Sequence, residues 1–292
     1  MRKPDVQGFY DPRTGSIQYV VSDPETGTCA IIDPVFDFDE KSGATATHHA
    51  DRILAFVAER GLEVVWILDT HPHADHFSAA NYLKEKTGAP TAIGEHVKDV
   101  QALWKDIYNW PELRTDGSQW DQLFADGDSF TIGGLEGRVM FSPGHTLASI
   151  TYVIGDAAFI HDTLFMPDSG TARADFPGGS ARALWRSIQA ILALPDETRL
   201  FTGHDYQPGG REALWEATVA EQRSSNSHLV RSKTEDDFVA LREARDRTLP
   251  MPKLILHALQ VNTNGGRLPE PESNGKRYLK FPLDALPGAA WT

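Results

Sequence analysis

The sequence predicts an α/β protein in which two β-sheets pack face to face and helices cover the outside. Two observations support this prediction. Strand-like and helical runs interleave along the chain without the strict strand–helix–strand repetition of a doubly wound parallel sheet. The middle of the chain also carries four short strand-like runs separated by glycine-containing turns. The 292 residues, of which 40% are hydrophobic and 24% charged, have the composition of an ordinary globular protein with a sizeable core.

The first third of the chain alternates strands and helices. Residues 16–21 and 28–32 are predicted to form an antiparallel pair around the turn at 23–27. A helix is predicted over 49–60, where Ile53, Phe56 and Val57 recur at helical spacing and Gly61 ends the run. A buried strand over 64–68 and a helix over about 78–86 are predicted next.

The later elements are shorter and more often strands. The predicted strands cover 129–132, 138–141, 149–154, 157–160 and 199–202, and helices are predicted over 180–194 and 211–222. From residue 249 the chain is punctuated by proline. We therefore expect one domain over residues 1–248 that carries the functional site. Residues 249–292 are expected to form an extended tail packed on the same domain or on a neighbouring subunit.

Charge and composition exclude several classes of partner. The formal net charge of −13 argues against nucleic acid, because phosphate binding needs a basic surface. Residues 1–8 lack the apolar core of a signal peptide, and no apolar run is long enough to span a membrane. We expect a cytoplasmic protein with a small-molecule substrate and neither a nucleic-acid nor a membrane partner.

A cluster of metal-ligating side chains follows the predicted strand 64–68. Residues 70–76 read Thr-His-Pro-His-Ala-Asp-His, so His71, His73, Asp75 and His76 lie within six positions. Burying three imidazoles and a carboxylate without partners is costly. A metal ion offsets that cost, because imidazole and carboxylate are ligands of first-row metals. The segment therefore predicts a metal site.

Three further candidate ligands each follow a predicted strand. They are His145 in the run Ser-Pro-Gly-His-Thr, Asp162 in His-Asp-Thr, and His204 in Gly-His-Asp-Tyr. A ligand at a strand end is held by a rigid element and faces a loop cleft. Taken singly, each is a weak signal, because a lone histidine after a strand is usually a satisfied polar residue.

Taken together, these motifs resemble the metallo-β-lactamase superfamily over residues 10–225. The resemblance implies an αββα sandwich of two mixed sheets with the site at one edge. His71, His73 and His145 could form one metal site, with Asp75, His76 and His204 forming a second and Asp162 bridging. All seven ligands of a dinuclear hydrolase are thus present. One alternative is a glutathione thiolester hydrolase of the glyoxalase II type, for which zinc is a suitable metal.

The flanking sequence is similar to the persulfide dioxygenase branch. Asp162-Thr-Leu-Phe leads into the run 169–176, Ser-Gly-Thr-Ala-Arg-Ala-Asp-Phe, and His204 begins a His-Asp-Tyr motif. This resemblance implies one Fe(II) per chain, held by His71, His145 and Asp162 as a two-histidine, one-carboxylate triad. The groups expected to surround the triad and orient ligands and water are His73, Asp75, His76 and His204. The substrates would be glutathione persulfide and dioxygen, and the products sulfite and glutathione.

The substrate side rests on weaker signals. Arg173 matches a family arginine beside the glutathione pocket, with a surface salt bridge as the alternative. Lys276 and Arg277 in the tail are second candidates, with a solvated turn as the alternative. Tyr206 is expected to hydrogen-bond a metal ligand or the substrate, or else to be a packed aromatic. Family resemblance and the proline-rich tail predict a homodimer.

One departure from the family pattern is His161, which stands where glycine usually precedes the metal-binding Asp-Thr. Three explanations are possible for this histidine. It is a substitution at the surface, a hydrogen-bond donor to a metal-ligating residue, or an additional metal ligand. A non-enzymatic metal-binding sulfur sensor on the same fold is a further alternative. The complete ligand set argues against such a scaffold, because an idle fold need not keep every ligand.

Overall fold

The structure is a computed structural model that describes residues 3–286. Its strands are β1 (Asp5–Tyr10), β2 (Ile17–Ser22), β3 (Thr28–Ile32), β4 (Val35–Asp39), β5 (Ala44–Ala46), β6 (Glu63–Leu68), β7 (Phe77–Ser78), β8 (Thr91–Gly94), β9 (Gln122–Phe124), β10 (Ser129–Ile132), β11 (Leu135–Phe141), β12 (Ile150–Ile154), β13 (Ala157–His161), β14 (Arg199–Thr202) and β15 (Glu216–Thr218). Its helices are α1 (His48–Glu59), α2 (Ala80–Thr87), α3 (Val97–Tyr108), α4 (Ala181–Leu192), α5 (Val219–Ser225), α6 (Glu235–Asp246) and α7 (Ile255–Asn262).

Two six-stranded mixed sheets form the body of the molecule. The first has the strand order β1-β2-β3-β6-β8-β9, the second has the order β10-β11-β12-β13-β14-β15, and a small sheet β5-β4-β7 lies beside them. Apolar side chains from both large sheets share one buried cluster that includes Tyr19, Ile32, Tyr152, Phe159 and Phe201. The predicted two-sheet core is therefore confirmed.

Helices cover both outer faces of the sandwich. Ile53 and Val57 of α1 and Leu83 of α2 pack in a second buried cluster with Val20 and Ile31 of the first sheet. On the other side, α4, α5 and α6 pack against residues of β13 and β14. Burial of these apolar stripes gives the αββα layering.

Two predictions about local structure are wrong. Residues 211–222 do not form one helix, because residues 216–218 pair with β14 as β15 before α5 begins. Residues 249–292 are not extended throughout, because they contain α7. Leu254, Ile255 and Leu259 at this helix pack with Trp104 and Tyr108 of α3, so this part of the tail belongs to the same chain's core. Residues 287–292 of the tail lie outside the described residues.

The ends of several strands meet at one edge of the sandwich, and hydrogen bonds between the sheets hold that edge together. The Tyr19 hydroxyl donates to the carbonyl of Thr202 at 2.6 Å, and the Tyr152 hydroxyl donates to the carbonyl of Asp69 at 3.0 Å. Each pair joins a tyrosine of one sheet to a strand end of the other. The loops that carry the predicted ligands therefore start from fixed positions.

No helix within residues 3–286 is both long enough and apolar enough to cross a membrane.

Candidate metal centre

Three predicted ligands converge at the edge of the sandwich. His71 follows β6, His145 lies between β11 and β12, and Asp162 follows β13. One ligand atom from each lies within 4.8 Å of the other two, and all three side chains are buried. The Nε2 atom of His71 is buried and has no hydrogen-bond partner among residues 3–286. A buried imidazole nitrogen that lacks a partner and lies close to the Asp162 carboxylate is the arrangement expected of residues that hold a metal ion.

The rings of these ligands are oriented by neighbouring oxygen atoms. His71 Nδ1 lies 3.0 Å from the Thr70 hydroxyl, and His145 Nδ1 lies 2.9 Å from the Arg173 carbonyl. A carbonyl accepts only, so His145 carries its proton on Nδ1 and presents Nε2 to the site. His145 Nε2 lies 3.6 Å from Asp162 Oδ2.

The protonation states of the three ligands suit metal binding. Burial lowers the pKa of His71 well below its usual value, and burial also lowers the pKa of His145. Burial alone would raise the pKa of Asp162, but the charge and the hydrogen bond of His204, together with His145, outweigh burial and lower that pKa to about 2. At neutral pH the site therefore holds two neutral imidazoles and one carboxylate, the forms that bind metals.

His204 is held between two carboxylates. Its Nδ1 lies 2.6 Å from Asp162 Oδ1, and its Nε2 lies 2.8 Å from Asp75 Oδ2. Burial lowers the pKa of His204, but the charges of Asp162 and Asp75 outweigh burial and raise it well above the usual value. With both ring nitrogens engaged, the imidazole bridges the two acids.

His73 is directed toward the first sheet. Its Nε2 lies 3.0 Å from Asp33 Oδ1, an ion-pair distance without hydrogen-bond alignment. His76 Nδ1 lies 2.9 Å from Asp75 Oδ2, while its Nε2 is buried and unpaired within residues 3–286. His73, Asp75 and His76 also offer one ligand atom each within 4.8 Å of one another. All seven predicted ligands thus gather at one edge, but in distinct groups.

His161 is not a surface substitution, because its side chain is only 1% exposed. Its backbone φ is +40°, in the left-handed region that favours glycine, which accounts for the glycine of the family pattern. Its Nε2 lies 3.1 Å from the Ser142 hydroxyl and 2.9 Å from the Thr163 hydroxyl. The ring centroids of His161 and His71 are 5.3 Å apart, so His161 forms part of the wall behind the first ligand.

Gly203 permits the close approach of β14 to Asp162. A Cβ atom at this position would lie 2.6 Å from Asp162 Oδ1. Any larger residue would displace the carboxylate or the start of the His204 loop. This contact explains the glycine in the Gly-His-Asp-Tyr motif.

Sequence comparison supplies the family. The family profile described as the Metallo-beta-lactamase superfamily matches residues 12–204, which is more than half of the chain. The chain belongs to this superfamily. The αββα sandwich and the position of the site at its edge agree with that membership.

Relatives within the superfamily differ in name. A beta-lactamase hydrolase-like protein of Xylella fastidiosa is 75% identical over all of this chain, which spans 67% of that protein. Glyoxylase B2 of Dictyostelium discoideum is 46% identical over 97% of this chain and 98% of its own length. The mitochondrial persulfide dioxygenase ETHE1 of Bos taurus is 29% identical over 88% of this chain and 87% of its own length. Among solved structures, ETHE1 from Myxococcus xanthus matches with a TM-score of 0.72 and 30% identity, covering 90% of this chain and all of that one.

A cleft of about 1140 Å³ opens onto the cluster of candidate metal ligands. His76, His145, Asp162 and His204 line it. Tyr206 also lines the cleft, with 60% of its surface exposed and its ring stacked on His204 at a centroid distance of 5.6 Å. Within residues 3–286 its hydroxyl forms no hydrogen bond. The predicted hydrogen bond to a metal-ligating residue or to the substrate therefore stays a prediction.

The two predicted substrate-binding groups differ in position. Arg173 lines the cleft, but its guanidinium is engaged by Asp175 at 2.7 and 2.8 Å and by the Pro250 carbonyl at 2.6 Å. The salt-bridge alternative therefore describes its guanidinium, while its carbonyl orients His145. Lys276 and Arg277 are exposed and are not among the residues that line the cleft.

A group of arginines that lines the cleft was not predicted from the sequence. Arg231, Arg242 and Arg245 line the cleft near His228, whose pKa is lowered to about 4 by burial and by these three charges. Arg242 forms an ion pair with Asp246, with 2.7 Å between Arg242 Nη2 and Asp246 Oδ1. Arg231 and Arg245 are exposed and form no ion pair with any residue in the described range 3–286. Two uncompensated cations therefore face a cleft in an acidic protein.

Asp33 was also missed, although a sequence signal existed. It directly follows β3, which pairs with β6 in parallel, so Asp33 lies beside the start of the histidine loop. Its carboxylate accepts hydrogen bonds from the Thr70 backbone N–H and the Thr70 hydroxyl, each at 2.7 Å. A polar residue at the end of a neighbouring parallel strand is the pattern that marks such a site.

Replacing Asp33 with asparagine is expected to remove a pH dependence of stability. Burial lowers the pKa of His73, but the charge and contact of Asp33, together with the charges of Asp75 and Asp69, outweigh burial and raise that pKa to about 9. The folded value exceeds the unfolded value of about 6.5, so this stabilisation is complete below about pH 6.5 and is lost as the pH rises through about 9. Urea unfolding of the metal-free protein should show a loss of about 3 kcal/mol across this window, and Asp33→Asn should show a clearly smaller loss because only Asp75 and Asp69 still raise the pKa of His73. An equal pH dependence of the free energy of unfolding in both proteins would contradict the ion pair between His73 and Asp33. Glu63→Gln, which removes an exposed carboxylate, is the control.

Proposed function

We propose that this metalloenzyme is a mononuclear non-haem iron persulfide dioxygenase. It would convert glutathione persulfide, dioxygen and water to glutathione and sulfite. The S–S bond breaks. The outer sulfur gives up four electrons to dioxygen and takes its three oxygen atoms from dioxygen and water, so that it leaves as sulfite. The inner sulfur takes up a proton and becomes the thiol of glutathione.

The grouping of the ligands carries the proposal. His71, His145 and Asp162 converge on one point, whereas His73 faces Asp33 and His204 bridges Asp162 and Asp75. A dinuclear hydrolase would need His73 in its first site and His204 in its second. Two histidines and one carboxylate with open positions are typical of non-haem Fe(II) oxygenases.

The chain's own residues prepare the site for this reaction. Iron(II), when bound, supplies a redox-active centre at which dioxygen and the persulfide sulfur can react. The Arg173 carbonyl fixes the tautomer of His145, and the His204 ring holds Asp162 in one orientation. Phe176 packs against the His145 ring at a centroid distance of 4.9 Å, so one side of that ligand is shielded from water.

The cationic wall of the cleft supports an anionic substrate. Glutathione persulfide carries carboxylates, which guanidinium groups bind through charge-assisted hydrogen bonds. Arg231 and Arg245 have no acidic partner within residues 3–286, so their donors are available to a ligand. Arg173 lacks that freedom because Asp175 occupies its donors.

The double variant Arg231→Met/Arg245→Met is expected to raise the KM for glutathione persulfide by about tenfold or more while kcat changes little. Loss of a charged hydrogen bond costs about 1.5–3 kcal/mol, and a change in KM alone marks loss of uniform binding. Steady-state oxygen uptake measures both constants. Arg247→Met removes an exposed arginine that does not line the cleft, so it is the matched control. An unchanged KM in the double variant would contradict the assignment of this wall.

The proposed reaction is tested by oxygen uptake. Protein loaded anaerobically with Fe(II) should consume dioxygen when glutathione persulfide is added and release an equal amount of sulfite. His71→Ala prepared in parallel provides the background. Oxygen uptake no faster than this background would overturn the proposal.

A dinuclear glutathione thiolester hydrolase is the second candidate. It is favoured by the presence of all seven ligands at the sandwich edge and by the 46% identity to Glyoxylase B2. Zinc suits this chemistry. Hydrolysis of S-lactoylglutathione by the zinc-loaded protein, with no oxygen uptake by the iron-loaded one, would favour this candidate.

A further inference from the structure

Asn262, at the end of α7, lies against the backbone of the histidine loop. Its side-chain amide donates to the carbonyls of His73 and His76, each at 2.7 Å. Its carbonyl oxygen accepts from the Ser78 backbone N–H at 2.8 Å. The side chain is only 2% exposed, so these three bonds form away from solvent. Asn262 lies 186 residues beyond His76 and outside the region 12–204 that the superfamily profile matches.

The loop needs such a partner because it has no regular structure of its own. Residues 69–76 form neither a helix nor a strand, so no backbone ladder engages the carbonyls of His73 and His76. The side chains of His73, Asp75 and His76 project from this short segment. A change in the peptide orientation at residue 73 or 76 would redirect the side chains next to that peptide.

The surroundings make the contact rigid. Ser78 also donates its hydroxyl to Asp69 Oδ1 at 2.9 Å, and the Trp120 indole donates to Asp69 Oδ2 at 3.2 Å. Both ends of the loop are therefore joined to one buried hydrogen-bond network. The amide uses both of its donors and one acceptor position, which is most of its capacity.

We propose that Asn262 is a positioning residue for the metal centre. It holds the backbone of residues 71–76, the loop that carries the ligand His71 and its neighbours His73, Asp75 and His76, in the position that metal binding requires. One side chain of the C-terminal segment, Asn262, thus supports a site whose ligands all come from residues 71–204. The inference rests on the metal centre of the superfamily and not on the proposed reaction.

Two substitutions test this role. Asn262→Asp keeps the size and the acceptor for Ser78, but it places a carboxylate oxygen against the carbonyls of His73 and His76. Asn262→Ala removes all three bonds. Gln260→Ala is the matched control on the same helix, because Gln260 bonds Leu256 and Lys280 at 2.7–2.8 Å and does not contact the loop.

The measurements are the Co(II) affinity, the Co(II) d–d absorption spectrum and the free energy of unfolding of the metal-free proteins. We expect both Asn262 variants to bind Co(II) at least about tenfold more weakly than wild type, with a shifted spectrum. Gln260→Ala should lose stability but keep the wild-type affinity and spectrum. Asn262 variants that lose only stability would show a structural role and overturn the inference. A wild-type protein that binds no Co(II) would overturn it as well.

Discussion

Replacing His71 with alanine is expected to lower the iron content of the protein from one ion per chain to nearly none, and oxygen uptake by more than about 100-fold. Loss of an outer partner of a metal typically costs about 10–100-fold, and loss of a direct ligand should exceed that. His71 Nε2 is buried and unpaired within residues 3–286, so the substitution removes the nitrogen that is free to bind the metal. Metal analysis after anaerobic loading, followed by oxygen uptake, measures both effects.

His76→Ala provides the contrast. His76 lies outside the set His71, His145 and Asp162, and its Nδ1 contacts Asp75. We expect this variant to keep one iron per chain and to lose at most about 100-fold in activity. If His76→Ala removed half of two bound metals and abolished activity, the mononuclear assignment would be wrong.

The second large effect is expected at the buried ion pair between Arg242 and Asp246. Arg242 donates to Asp246 at 2.7 and 3.0 Å and to the Thr171 carbonyl at 2.9 Å, and both side chains are buried. Arg242→Met would leave the Asp246 carboxylate buried with the Ala174 N–H as a neutral donor. The free energy of unfolding should fall by about 3–5 kcal/mol, the usual cost of removing one partner of a buried pair.

This pair also connects stability to the metal centre. Thr171 and Ala174 flank Arg173, whose carbonyl orients His145. We therefore expect Arg242→Met to weaken metal binding as well as folding. Urea unfolding and Co(II) titration measure the two effects separately.

Two further variants control this experiment. Arg242→Met/Asp246→Leu should lose less stability than the single variant, because no uncompensated charge stays buried. Arg182→Met breaks the exposed pair of Arg182 with Glu235 and Asp236 and should cost no more than about 1 kcal/mol. A single variant at Arg242 as stable as Arg182→Met would contradict the assigned role.

The sequence was sufficient to predict the two-sheet sandwich, and the candidate ligands that it offered lie together at one edge of that sandwich. Strand ends in this fold carry the ligands, and the apolar runs before His71, His145 and Asp162 mark those strand ends directly. Periodicity failed at 211–222, where pairing with β14 overrode the helical pattern and produced β15. Pairing between distant strands is a tertiary effect that a local window cannot contain.

The remaining errors have a similar cause. The sequence left a surface position open for His161 because nothing local shows that its ring turns inward between Ser142 and Thr163. Asn262 and Arg231 belong to segments without recognisable motifs, and only the folded chain brings them to the loop and the cleft. Arg173 lines the cleft, but Asp175, two residues away, fixes its guanidinium, and the sequence did not decide between this salt bridge and substrate binding.

The count of iron ions per chain tests the central claim most directly. Protein expressed with iron and purified anaerobically should contain one iron per chain, and this value should stay at one when excess Fe(II) or Zn(II) is offered and unbound metal is removed. Two tightly bound metals per chain would contradict the mononuclear centre at His71, His145 and Asp162.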